Sequence, residues 1–176
     1  MKKPSRFMPK YKEKPAGLVG WLLLFVILGI ALWLLWSIPY LLLLVPAFFI
    51  LNFLDKRKRE RHFKNLLKDR EKDTICTFSR HFEFRAIDTW IIRAVYEQLQ
   101  NYLSGEKEGF PIRPTDDVFT DLMIDDEDFE YDLVEEIAER TGRSLENAES
   151  NPYYGKANIV ENLVYFFNEQ PKTNAT

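Results

Sequence analysis

Apolar positions along this 176-residue chain follow two unlike patterns. Between Lys14 and Asp55 they are continuous: 40 residues pass without Asp, Glu, Lys, Arg or His, and Leu, Ile, Val, Phe and Trp dominate. Beyond Asp73 they recur at spacings of three and four, the period of helices that bury one face. The first pattern suits a lipid solvent and the second a protein core, so an all-α chain with a membrane part and a small helical domain is expected.

As one straight helix the continuous run would be ~60 Å long, about twice the ~30 Å hydrocarbon thickness of a bilayer, so two legs fit better. The break falls at Ser37-Ile38-Pro39-Tyr40, because Pro39 disfavours helix at Ile38 and suits the first turn of a new one. Leu18 to Trp36 makes the first leg, and Pro39 to Leu54 a short second leg that Pro46 can kink. Residues 16–54 are thus expected to form a tight transmembrane hairpin, with a shallow or re-entrant second leg as the alternative. Trp21 near one face, and Trp33, Trp36 and Tyr40 near the other, stand where amphipathic rings favour the interface, although lipid-facing bulk accounts for them equally well. The run is too long for a cleaved signal peptide, and no small-residue cleavage site follows it.

Charge changes the picture by dividing the chain. Residues 1–72 carry 15 Lys and Arg against 5 Asp and Glu, a balance of +10; residues 73–176 carry 9 against 22, a balance of −13. Lys2, Lys3, Arg6, Lys10, Lys12 and Lys14 lie in a basic tail, 1–15, and Lys56, Arg57, Lys58, Arg59 and Arg61 follow the apolar run. Both flanks, and both termini, are therefore expected in the cytoplasm. The five residues of the second flank are candidates for contact with anionic lipid head groups. Segment 55–72 keeps a helical period, with Phe63, Leu66 and Leu67 on one side; it reads either as a helix lying on lipid or as a linker continuing the second leg. The acidic remainder would repel nucleic acid phosphates, which excludes that class of partner.

The soluble part, 73–170, reads as a series of helices, with 171–176 as a tail. Asp73 is expected to cap a helix carrying Ile75, Phe78 and Phe82, and Asp88 a longer one carrying Trp90, Ile91, Ala94, Val95, Gln98, Leu99 and Tyr102 until Ser104-Gly105. Gly105 to Pro114 is an irregular loop. Asp116 to Glu139 then holds twelve carboxylates and no Lys or Arg. Asp125 or Asp126 caps a helix there with Phe129, Leu133, Val134, Ile137 and Ala138 inward and Gly142 as its stop. Ser144 starts a short turn, and Asn158 is expected to cap a last helix through Phe167. No convincing strand is present.

This order of elements resembles an acyl carrier protein: a long helix, a long loop, Asp121-Leu122-Met123-Ile124-Asp125-Asp126-Glu127, a helix ending in Glu-Arg-Thr-Gly, a short turn and a final helix. The match covers about Asp88 to Gln170, and the soluble part is also similar to a bacterial family of carrier-like domains of unknown function. The resemblance implies an acyl-carrier-like helical bundle and, the family being bacterial, the bacterial inner membrane as the site of the anchor. In carrier proteins the loop ends in Asp-Leu-Gly-x-Asp-Ser-Leu, whose serine bears a phosphopantetheine arm; here Asp126 stands at that position. A carboxylate cannot form the same phosphodiester, and no serine occurs from Gly105 to Arg143; Thr115, Thr120 and Thr141 lie away from the helix start. The implied surface survives, because carrier domains dock basic patches of partner proteins through their acidic helix. Asp126, Glu127, Asp128, Glu130, Glu135 and Glu139 are the candidate docking residues, against the plainer reading of a solvated acidic face.

Other chemistry finds little purchase. An EF-hand loop begun at Asp126 would put Tyr131 where glycine is required and Ile137 where the bidentate Glu belongs. His62 and His81 lack partners at metal-ligand spacing, and no phosphate loop, dinucleotide fingerprint or nucleophile elbow occurs. Cys76, the single cysteine, permits no internal disulfide, fits a reducing compartment and, beside Phe78, reads as a small buried hydrophobe. Asp125 and Asp128 leave open an acid–base role. The expectation is a non-enzymatic, membrane-anchored docking module without cofactor or metal, whose partners are membrane lipid and a protein with a basic surface. The alternatives are a self-assembling structural membrane protein, homo-oligomeric through its anchor, and a genuine acyl carrier linked to membrane lipid metabolism.

Overall fold

A computed structural model describes residues 4–12, 17–38, 40, 42 and 44–173 of the chain. The chain is helical, and among the described residues its β-structure is limited to two isolated bridges, Asp117–Ile159 and Arg143–Lys172. It divides into two units, Lys12–His62 and a second made of Met1–Tyr11 with Phe63–Thr176.

In the first unit α1 spans Leu18–Ser37, in agreement with the expected first leg, and buries none of its residues. A core helix would hide one face. α1 is apolar on every face, and it is the one helix among the described residues long and apolar enough to cross a membrane, a test a signal sequence passes as well. Helix α2 spans Leu44–Leu66 and passes without a break from apolar to basic sequence, as the linker reading requires. Pro46 sits in its first turn, where the missing N–H has no intrahelical acceptor to lose. The apolar stretch Leu44–Leu54 is only ~16 Å long, about half the hydrocarbon thickness. The expected break at Pro39 lies outside the described residues. Lys56, Arg57, Lys58 and Arg61 are exposed, Arg59 is half-buried, and the Arg57 guanidinium lies 4.4 Å from the Phe53 ring centroid.

The second unit is built around α4, Thr89–Tyr102, which packs against α3 (Ile75–Arg80), α5 (Val134–Thr141) and α6 (Val160–Glu169). The apolar period of α4 places Ile91, Val95 and Leu99 in the core with Phe78, Ile137, Leu163 and Phe167, all nearly fully buried. Asp88 caps α4 as expected, its carboxylate accepting the Trp90 N–H at 3.0 Å, and Gly142 ends α5 in the left-handed conformation, φ +63°. The long loop after α4 is pinned from inside by Phe110 and Ile112.

Several sequence expectations change here. α3 is capped one residue later than Asp73, with Thr77 Oγ1 accepting the Thr74 N–H at 2.8 Å; Asp73 instead pairs with Arg113. Cys76 is exposed, because it stands about 200° around α3 from the inward-facing Phe78. Asn158 does not cap α6: backbone carbonyls of Asp116 and Pro114 accept its first N–H groups, from Val160 at 3.0 Å and Glu161 at 2.8 Å. Tyr102, expected inside, is partly exposed.

The unit also extends beyond 73–170 in both directions. Phe63 is buried edge-on to Phe110, with ring centroids 5.4 Å apart, and Leu66 and Leu67 pack against the same core, so this stripe meets protein. Arg70 is buried and forms a bidentate pair with buried Asp116, at 2.6 and 2.7 Å. Tail residues are recruited too: the 3-10 turn Ser5–Phe7 packs on α4 and Met8 enters the core. At the other end, the Pro171 carbonyl accepts the Ser144 N–H and the Thr173 N–H reaches the Gly142 carbonyl.

Candidate functional site

The acidic stretch begins where Asp125 turns the chain into a helix: its carboxylate accepts the Asp128 N–H at 3.1 Å and its carbonyl the Phe129 N–H at 3.0 Å. Asp126 and Glu127 form the first helical residues, followed by a π-helical stretch, Asp128–Leu133, that runs into α5. The wider turn re-aims the side chains. A regular helix, at about 100° per residue, would set positions 126 and 135 on opposite sides; a π stretch, at about 80° per residue, brings them to within about 90°.

Those two positions border one groove of about 940 Å³. Phe129 and Val134 line one wall, Leu163 and Phe166 of α6 contribute apolar surface, and Leu145, Ala148 and Ala157 come from the loops between α5 and α6. Carboxylates stand on its rim: Asp126, Glu130 and Glu135 from the acidic helix and Glu149 from the 3-10 turn Ala148–Ser150. No Lys, Arg, Ser or Thr is among the lining residues, and Tyr131 and Tyr154 present exposed rings there.

Asp117 holds two further lining residues in place. One of its carboxylate oxygens accepts the N–H groups of Phe119 and Thr120, both at 2.9 Å, and the other accepts the Asn158 side-chain amide at 2.7 Å. Phe119 and Asn158 both line the groove, and the Phe119 ring meets Phe129 edge-on at 5.3 Å. Burial opposes ionisation of Asp117, but the donors from Thr120, Asn158 and Phe119 outweigh it and hold the carboxyl below its ordinary value.

Of the six acidic residues singled out from the sequence, the groove gathers Asp126, Glu130 and Glu135. Glu127 and Glu139 are exposed elsewhere on the helix, and Asp128 accepts the Tyr102 hydroxyl. Asp125 and Asp128, the pair that left an acid–base role open, are thus engaged in capping and in this cross-helix bond. Glu149, Tyr154 and the Asp117–Asn158 link were not singled out from the sequence. Among the described residues no group of His, Cys, Asp and Glu is arranged to hold a metal, and His81 pairs with Glu161 at 3.1 Å. Comparison of the chain with protein-family models, with curated proteins and with solved structures gives no match.

Proposed function

We propose that the chain is a membrane-tethered, carrier-like domain that does not carry a phosphopantetheine arm and serves as a docking module for a basic partner protein. The observation that carries this reading is the position of Asp126: at the start of the acidic helix, on the rim of a groove bordered by four carboxylates and no cation. A second observation supports the carrier-like frame. The carrier pattern Asp-Leu-Gly-x-Asp-Ser-Leu places its glycine at Met123, and Met123 adopts φ +50°, the left-handed conformation that favours glycine. Incubating the full-length protein with a phosphopantetheinyl transferase and coenzyme A should leave its intact mass unchanged; addition of one arm overturns the reading. Affinity capture from native membranes should retain one partner that is lost when Glu130 and Glu135 are reversed to Lys.

Connectivity supports the tether. Met8 and Phe63, on either side of the apolar segment, belong to one core, which favours a chain that leaves and returns on the same side of any membrane that α1 crosses. We infer a return through Tyr40 to Leu54, with the basic residues from Lys56 onward at the lipid surface on the cytoplasmic face. Exposed Cys76 is a native reporter. A membrane-impermeant maleimide should label it only after cells are opened, whereas a Tyr40→Cys, Cys76→Ser protein should react from outside. A silent Tyr40→Cys would instead favour a re-entrant segment.

A further inference from the structure

Resting on the docking reading, we propose that the groove itself is the receptor and that it takes an amphipathic, Lys- and Arg-bearing segment of the partner protein. Three features converge. The interior is apolar, from Phe129, Val134, Leu145, Leu163 and Phe166, so a purely ionic contact with the outer helix face would leave its most specific surface unused. The rim is acidic, with Asp126, Glu130 and Glu135 contributed by the acidic helix and Glu149 by the 3-10 turn Ala148–Ser150, and lacks any cation to attract an anionic lipid or nucleotide. The third is independent of charge: the π-helical stretch Asp128–Leu133 rotates Glu135 toward Asp126, and such irregular turns recur at functional sites because they re-aim side chains at a packing cost. Tyr131 and Tyr154 add rigid, amphipathic contact surface at the lips. In the docked state the apolar side chains of the segment would enter between the acidic helix and the 145–157 loops, with its cations meeting the rim.

The test uses full-length protein in zwitterionic lipid nanodiscs and two fluorescent synthetic peptides of equal positive charge, one with a Leu/Trp face and one with Gly and Ser in place of Leu and Trp. Empty nanodiscs report lipid binding alone. The amphipathic peptide should bind about ten-fold more tightly than its polar counterpart, and paired Glu130→Gln, Glu135→Gln substitution should weaken it about five-fold. Paired Glu127→Gln, Glu139→Gln substitution should leave binding unchanged. All four positions are exposed, so the variants should keep the helical circular dichroism of the parent. Equal binding of the two peptides, or equal losses from the two pairs, would place docking on the outer acidic face: the groove inference falls while the docking reading stands. Absence of binding by both peptides overturns the groove inference. Loading of a phosphopantetheine arm, read separately by mass, is what removes the non-loading reading.

Discussion

Helices α1 and α4 are both rich in large apolar residues, yet they place them differently. The twenty residues of Leu18–Ser37 bury none of their side chains, whereas the fourteen of Thr89–Tyr102 bury seven. The difference is angular. α4 sets its apolar residues on one face and its charged Arg93 and Glu97 on another, so one stripe seeks a core and the rest seeks water. α1 has no polar face to give to water, so burying one stripe in protein would leave the others unsolvated. A helix apolar on all sides asks for an apolar solvent, and that distinction separates the two units before any contact is considered.

The comparison is broken most directly by removing one leucine from each helix. Leu99→Ala in α4 deletes a fully buried side chain and should cost about 3 to 4 kcal/mol, from lost transfer energy and the cavity left behind. Leu28→Ala in α1 should leave the unfolding of the soluble unit unchanged, since Leu28 is half exposed and belongs to the other unit. Denaturant unfolding of the full chain in detergent, followed by near-ultraviolet circular dichroism, measures both. A comparable loss from Leu28→Ala would show α1 to be part of the folded core.

Asp116→Ala should cost about 3 kcal/mol in the same measurement, because it strands the buried Arg70 guanidinium, which keeps only a 3.3 Å contact to the Pro111 carbonyl. The more exposed Arg113–Asp73 pair is a control: Asp73→Ala should cost under about 1 kcal/mol. Leu28→Arg tests the other side of the comparison. A charge near the middle of α1 should oppose membrane insertion by about 2.5 kcal/mol and move protein from the carbonate-resistant to the extractable fraction, while the soluble unit unfolds as before.

How far the sequence reached depended on the distance between cause and effect. Local signals were legible: Asp88 and Asp125 cap helices they immediately precede, Gly142 stops α5, and the apolar run from Leu18 delimits α1. Asn158 carries the same capping signal but spends its amide on Asp117, 41 positions earlier, a pairing that no local pattern encodes. The Arg70–Asp116 pair and the docking of Met8 are invisible for the same reason. In the site, three of the six proposed acidic residues reach the groove, selected by a π-helical stretch that has no residue signature. Its opposite wall, with Glu149 and Tyr154, exists only once the loops are folded.

The smallest expected effect concerns the support of Phe119 and Asn158 in the groove. Asp117 ionises more readily in the folded protein than at its ordinary value of 3.8, because three donors converge on its carboxylate. A depressed folded pKa contributes stability that is present above the unfolded pKa and is lost as pH falls through the folded value, so the contribution should be full near neutrality and fade on the acid side of about pH 4. Asp117→Asn keeps the shape but turns one oxygen into a donor facing the Asn158 amide, which should cost about 1 kcal/mol at pH 7. The gap between parent and variant, measured by urea unfolding at a series of pH values, should narrow steadily below pH 4. A constant gap would assign the loss to packing alone. A narrowing gap accompanied by weaker binding of the amphipathic peptide to the variant would tie this carboxylate to the shape of the groove.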